Sequence, residues 1–259
     1  MASQIQFIPM GPLMADMTLN QLSDLTDPKA HPELQEWIKF ECRFCGREME
    51  ATRLAQAFGT CCDSCREARE TKEKRELCGA AWQDICPASY RDRDMKDPRF
   101  PAAAWDKVKL WSRQKSLFLL GPSGVGKTWV ALETLKRCLW KGLSVGVVWP
   151  EQMEAVKFSR DPMRFITDNN QYVLMLDDCV MAAARSEASL DALRNLIDVR
   201  MRNRMPFIIT SQVGGAALEE HIDKYDRGTG VDRAKLEALL RRLRQECEVV
   251  EFQPQPVTP

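Results

Sequence analysis

The chain has 259 residues, enough for one ordinary domain plus a smaller module. Lys+Arg and Asp+Glu both number 37, so no global positive excess marks a protein that coats nucleic acid over its whole surface. Apolar runs are too short for a membrane span, and Met1–Asp16 lacks the basic and apolar regions of a signal peptide, so a cytoplasmic, non-membrane protein is expected.

Residues 1–40 are rich in Pro, Met and polar side chains and read as an N-terminal arm, with helical pieces expected at Leu19–Leu25 and Pro32–Phe40. A cysteine-rich module follows at 41–78. Half of the ten cysteines fall between Cys42 and Cys65, and in a chain of this kind reduced, metal-binding thiols are a better account than disulfides. Cys42-Arg43-Phe44-Cys45 and Cys62-Asp63-Ser64-Cys65 form two Cys-x-x-Cys knuckles with the spacing of a four-thiolate Zn²⁺ site. Cys61 competes with Cys62 through a wider bite; Cys62 is preferred because it repeats the first knuckle. Such a site is closed, hence structural, and metal binding supplies the stability that so small a module lacks. Arg43, Arg47, Arg53, Arg66 and Arg69 make the module locally basic, which suits nucleic acid, while docking on a protein remains an equal alternative. Mixed charges over Arg66–Glu76 read as a solvated helix laced with i,i+4 pairs. Residues 79–104, with Pro87, Pro98 and Pro101, read as a linker into a domain at 105–259.

In that domain strand-like runs (Ser116–Leu120, Ser144–Trp149, Tyr172–Leu176, Phe207–Thr210 and Glu248–Phe252) alternate with helix-like segments. Near-continuous apolarity suits a parallel sheet buried on both faces, so the class is α/β. The first strand runs into Gly121-Pro122-Ser123-Gly124-Val125-Gly126-Lys127-Thr128, a complete phosphate-binding loop. Its glycines let backbone N–H groups wrap a triphosphate, Lys127 reaches the β/γ-phosphates and Thr128 ligates Mg²⁺. A helix over Trp129–Lys141, stopped by Gly142, directs its positive dipole end at the phosphates. The run Val173–Leu176 ends in Asp177, placed for the Mg²⁺ shell, and Asp178, placed to orient or deprotonate the attacking water. Ser211-Gln212 lies beside the γ-phosphate if the fourth strand sits between the first and third. Near the C-terminus, Leu236, Leu239, Leu240 and Leu243 form one apolar helix face, capped by Asp232, and Arg241, Arg242 and Arg244 project elsewhere.

The C-terminal two-thirds resemble AAA+ ATPases, and among them the DnaC/IstB-like group of helicase loaders and transposition helpers. The resemblance rests on Gly121–Thr128, Val173–Asp178, Leu196–Pro206 leading into Phe207–Gln212, and Leu240–Cys247. It implies a five-stranded P-loop domain without a C-terminal helical lid, Gln212 at a sensor position usually held by Asn, and Arg242 as a finger acting on a neighbour's ATP. Asp178 departs from the commoner Glu, and Gln253–Pro259 lacks the Ser-Tyr-Arg ending of many members. The resemblance further implies a single-stranded DNA path along Pro150–Thr167, where Lys157, Arg160 and Arg164 accompany Phe158 and Phe165. The expected function is an ATP-dependent loader of a replicative helicase onto single-stranded DNA, oligomeric when bound to ATP or helicase. An IstB-like transposition helper, a metabolic P-loop kinase and a non-hydrolysing ATP-bound adaptor are the alternatives.

Overall fold

In a computed structural model, residues 32–58, 60–159, 161–212 and 233–253 are described. The helical piece at Leu19–Leu25, the cap Asp232 and Arg160 lie outside them. The chain divides into two units, Met1–Leu77 and Cys78–Pro259.

In the first unit, Pro32–Gln35 forms one 3₁₀ turn, and β1 (Trp37–Glu41) pairs antiparallel with β2 (Glu48–Thr52). This corrects the expectation of a helix over Pro32–Phe40 and of an arm reaching residue 40. Ile38 and Phe40 alternate with exposed Trp37, Lys39 and Glu41, a period of two that helix geometry cannot place on one face. They oppose Ala51 and Met49, so four apolar side chains share one side of the hairpin. A short helix α1 (Arg53–Phe58) follows. The mixed-charge run lies within α2 (Asp63–Ile85), where Arg69–Glu73 and Lys72–Glu76 are the i,i+4 pairs.

Residues 79–104, expected as a linker, pack into the second unit. Trp82 near the end of α2, Cys86, and Phe100 are buried there, with α3 (Ala88–Arg91) between Cys86 and Phe100 and α4 (Ala102–Val108) after it. The prolines mark turns between buried apolar residues, not free chain.

The second unit is built on a parallel sheet of β3 (Ser116–Leu120), β4 (Val145–Val148), β5 (Val173–Leu176), β6 (Phe207–Ser211) and β7 (Cys247–Glu251). Its order is β4-β5-β6-β3-β7, so the fold is α/β with a five-stranded parallel sheet and β6 lies between β3 and β5. Alternate residues feed two cores. Leu117, Leu119, Val173, Met175 and Ile208 pack with α4 and with α5 (Lys127–Trp140). Phe118, Leu174, Leu176, Phe207 and Ile209 pack with α6 (Pro150–Ala155), α8 (Cys179–Ala183), α9 (Glu187–Arg202) and α10 (Arg233–Glu246). Between α6 and β5 runs α7 (Pro162–Asp168). Both faces are thus covered, as near-continuous apolar strands require. The helix α5 ends as expected at Gly142, whose φ of 83° fits the left-handed cap, with Leu143 N–H donating back to Cys138. On α10, Leu236, Leu239, Leu240 and Leu243 are all buried.

Candidate functional site

The C-terminal ends of β3, β5 and β6 converge on one cluster. Leaving β3, the chain needs positive φ at Gly124 (82°) and Gly126 (89°) to curl before α5 begins. At Gly126 a Cβ would also meet the Pro101 ring at 2.9 Å, so Pro101, within the expected linker, closes on the loop. Lys127, buried at the start of α5, donates through Nζ to the Gly121 and Pro122 carbonyls at 2.7 Å each. Burial lowers its pKa, against the opposing pull of Asp178 and Asp177.

Thr128 Oγ1 donates to Asp177 Oδ1 at 2.9 Å, joining the loop to the end of β5. Burial pushes the Asp177 carboxyl up, while the Thr210 and Thr128 hydroxyls work in the other direction. Asp178 follows with φ 44°, and its N–H donates to Thr210 Oγ1 at 3.0 Å. Gln212 Nε2 donates to Asp178 Oδ2 at 3.1 Å. The other oxygen, Asp178 Oδ1, is buried with no hydrogen-bond partner. The structure therefore brings Lys127, Thr128, Asp177, Asp178 and Gln212 together. Arg242 is not joined to them within one chain: on α10 it pairs with Asp198 of α9.

These residues fit a nucleotide with Mg²⁺. A hydroxyl and two carboxylates are the hard oxygen ligands that ion takes, and an orphaned buried oxygen marks a place where a polar partner is wanted. Nothing stands within 4 Å of a Cβ position at Gly124, which leaves the loop open there.

Two residues escaped the sequence reading. Thr210, wholly buried, donates to Asp177 Oδ1 at 2.8 Å. Its signal in the sequence is the first hydroxyl after the apolar run Phe207–Ile209. Arg200, also buried, donates to the carbonyls of Asn169, Gln171, Tyr172 and Pro206, ahead of β5 and β6. It sits in a charged stretch, Arg200–Arg204, that reads as solvated surface. Along the expected DNA path, Phe158 and Arg164 are exposed, whereas Phe165 packs against the core.

In the first unit the Sγ atoms of Cys42, Cys45, Cys62 and Cys65 lie within 4.8 Å of one another. Tetrahedral Zn²⁺ with ligands at about 2.3 Å holds sulfurs about 3.8 Å apart; Cys45 and Cys62 are 3.7 Å apart. The four thiols fit that ion. Backbone N–H groups of Cys62 and Phe44 lower the Cys42 pKa to about 5, and hydrogen bonding with Cys45 raises that of Cys65. Cys61 stays outside the cluster, its Sγ facing the Cys62 carbonyl at 3.5 Å. Nearby, the Arg43 and Arg69 guanidiniums lie 4.7 and 4.9 Å from the Phe44 ring centroid. Among the described residues no helix is long and apolar enough to cross a membrane.

A family profile described as IstB-like ATP binding protein matches residues 90–256. Among solved structures, that of DnaI is 23% identical, with a TM-score of 0.47 over 63% of this chain and 87% of that one. The DnaC helicase loader is 18% identical, with a TM-score of 0.42 over 67% and 99%. AMPPCP-bound DnaA from Aquifex aeolicus is 15% identical, with a TM-score of 0.42 over 60% of this chain and 45% of that one. No curated protein matches.

Proposed function

Because the chain belongs to the family of IstB-like ATP-binding proteins, we propose that it hydrolyses ATP to load a replicative DNA helicase onto single-stranded DNA, with hydrolysis as an assembly and release switch. The observation that carries the ATPase reading is the continuous contact from loop to strand end, Thr128 to Asp177, with Asp178 beside it and its Oδ1 unpartnered.

Each side chain takes a role its chemistry allows. Backbone N–H groups of Gly121–Thr128 and the Lys127 ammonium bind the phosphates. Thr128 and Asp177 hold Mg²⁺, which when bound neutralises charge on the phosphate oxygens. Asp178 orients or deprotonates the attacking water, and Gln212, hydrogen-bonded to it, fixes the carboxylate's direction. Arg242 acts on the ATP of a neighbouring copy in a homo-oligomer, where developing charge is greatest. Cys42, Cys45, Cys62 and Cys65 hold a structural Zn²⁺. Cytoplasmic location follows from this reading, as does single-stranded DNA running past Lys157, Phe158 and Arg164.

An IstB-like transposition helper would share this ATP site. The four-cysteine unit ahead of the ATP-binding domain favours the loader. Pull-down of the full chain against a hexameric helicase and against a transposase separates the two. Capture of the transposase alone would reverse the assignment. Lys127→Ala must abolish nucleotide binding; retained binding would refute the site.

A further inference from the structure

At the end of β6, Thr210 bonds both the Asp177 carboxylate and the Asp178 backbone N–H, and Gln212 just beyond the strand bonds the Asp178 carboxylate. The Thr210 hydroxyl has one proton to give. The Asp178 N–H points into Oγ1 at 3.0 Å, so that oxygen accepts there, and its own proton goes to Asp177 Oδ1 at 2.8 Å. The direction is forced, since a backbone N–H only donates and an ionised carboxylate only accepts. A relay Asp178 N–H to Thr210 O–H to Asp177 therefore ties the last two residues of the β5 run to the neighbouring strand.

Two features make this more than ordinary pairing. First, Asp177 Oδ1 takes a second hydroxyl, Thr128 at 2.9 Å. Thr128 sits half-buried where the loop becomes helix, whereas Thr210 is wholly buried in a strand flanked by β3 and β5. Only Thr128 has room to turn its hydroxyl elsewhere. Second, Asp178 holds a left-handed φ of 44°, a conformation that residues with a Cβ rarely adopt without local hydrogen bonds to secure it. The backbone bond to Thr210 and the side-chain bond from Gln212 secure it, leaving Asp178 Oδ1 free of partners.

We propose that Thr210 is a positioning residue for the metal-bound nucleotide: it keeps Asp177 in place as the Thr128 hydroxyl turns from Asp177 to the Mg²⁺, and it sets the turn that presents Asp178. This rests on the ATPase reading, with Asp177 and Thr128 as the Mg²⁺ residues. Hydrogen-bond partners behind metal ligands typically shift metal affinity 10–100-fold when removed. Thr210 touches neither nucleotide nor metal on this account, so its loss must show in the metal dependence and not in metal-free nucleotide binding.

The test compares the full chain with Thr210→Val, which keeps the shape and removes both bonds, and Thr210→Ser, which keeps the hydroxyl. A fluorescent ATP analogue is titrated with excess EDTA and then with Mg²⁺, and hydrolysis is followed against Mg²⁺ concentration. For Thr210→Val the expected result is unchanged affinity in EDTA, a half-saturating Mg²⁺ concentration raised on the order of tenfold or more, and a kcat that falls more than KM changes. Thr210→Ser should stay within about twofold of the parent. If Thr210→Val unfolds at the assay temperature, Thr210→Cys, a weaker donor of similar shape, should show an intermediate Mg²⁺ requirement. An unchanged Mg²⁺ requirement in Thr210→Val or Thr210→Cys overturns the proposal while leaving the ATP site standing. Equal damage in Thr210→Ser and Thr210→Val also overturns it, because packing and not the hydroxyl would then matter. A parent chain that binds nucleotide identically with and without Mg²⁺ overturns the ATPase reading and this proposal together.

Discussion

Arg200→Met should destabilise the second unit by about 4 kcal/mol, a magnitude that follows from the contacts. The guanidinium, 1% exposed, donates to Tyr172 and Pro206 carbonyls at 2.8 Å each, to Gln171 at 2.9 Å and to Asn169 at 3.2 Å. Hydrogen bonds from a charged donor contribute about 1.5–3 kcal/mol each, so the three short ones supply about 4–9 kcal/mol together. Burial opposes this: it lowers the pKa from 12.5 to about 10, equivalent to about 3 kcal/mol against the charged form, and Nε finds no acceptor. The net is about 1–6 kcal/mol. Replacing a buried ion pair by apolar groups is often harmless because both partners go. Here the acceptors are backbone and stay behind, at the entrances to β5 and β6. Urea unfolding of the full chain, followed by tryptophan fluorescence, reads the change through the midpoint. Arg200→Lys, with one nitrogen in place of three, should recover under half of the loss. A midpoint for Arg200→Met equivalent to less than about 1 kcal/mol of destabilisation would show that these hydrogen bonds do not hold the entrances to β5 and β6.

Cys62→Ser should abolish zinc binding and Cys61→Ser should not, as read by metal content after dialysis, because only Cys62 joins the other three thiols. Chelation of the parent chain should likewise lose the near-ultraviolet signal of the first unit while leaving nucleotide affinity intact. Arg242→Ala removes only an exposed pair with Asp198, worth under about 1 kcal/mol, so the unfolding midpoint should barely move. Its DNA-stimulated hydrolysis should nonetheless fall by roughly 10³-fold or more if it serves a neighbour; full activity would exclude that role. Asp97 is held at a pKa of about 2 by the Arg99 guanidinium, below the ordinary carboxylate value of 3.8. The stability it adds is therefore complete above the unfolded value and is lost as pH falls through about 2. Parent and Asp97→Asn chains should differ in midpoint at pH 6 and converge near pH 2; a difference that persists there contradicts the pairing.

What the sequence made legible was whatever one element decides alone. Five apolar runs became five strands, and the glycine spacing of 121–126 announced its own backbone. Leu236, Leu239, Leu240 and Leu243 named their buried face. What it hid depends on partners distant in sequence. Ile38 and Phe40 need Ala51 and Met49 opposite before their alternation means a strand, and Pro32 ahead of them resembles a helix start. Pro98 and Pro101 suggest free linker, yet Phe100 packs edge-on to Trp129 at 5.1 Å and Pro101 against Gly126. Thr210 and Arg200 acquire meaning only when β6 is set beside β5, a pairing no local pattern specifies. Cys62 was separable from Cys61 only by the preference for a repeated knuckle, which the cluster geometry matches.

If Gly121–Thr128, Asp177 and Asp178 form a site that hydrolyses ATP, Asp178 is needed for the chemistry and not for binding. Single-turnover hydrolysis of ATP by the full chain with Mg²⁺ and single-stranded DNA, beside Asp178→Asn, tests it most directly. The parent should release phosphate, and the variant should bind nucleotide unchanged while hydrolysing it at least about a hundredfold more slowly. Hydrolysis at the parent rate in Asp178→Asn, or tight binding without any phosphate release by the parent, would contradict it.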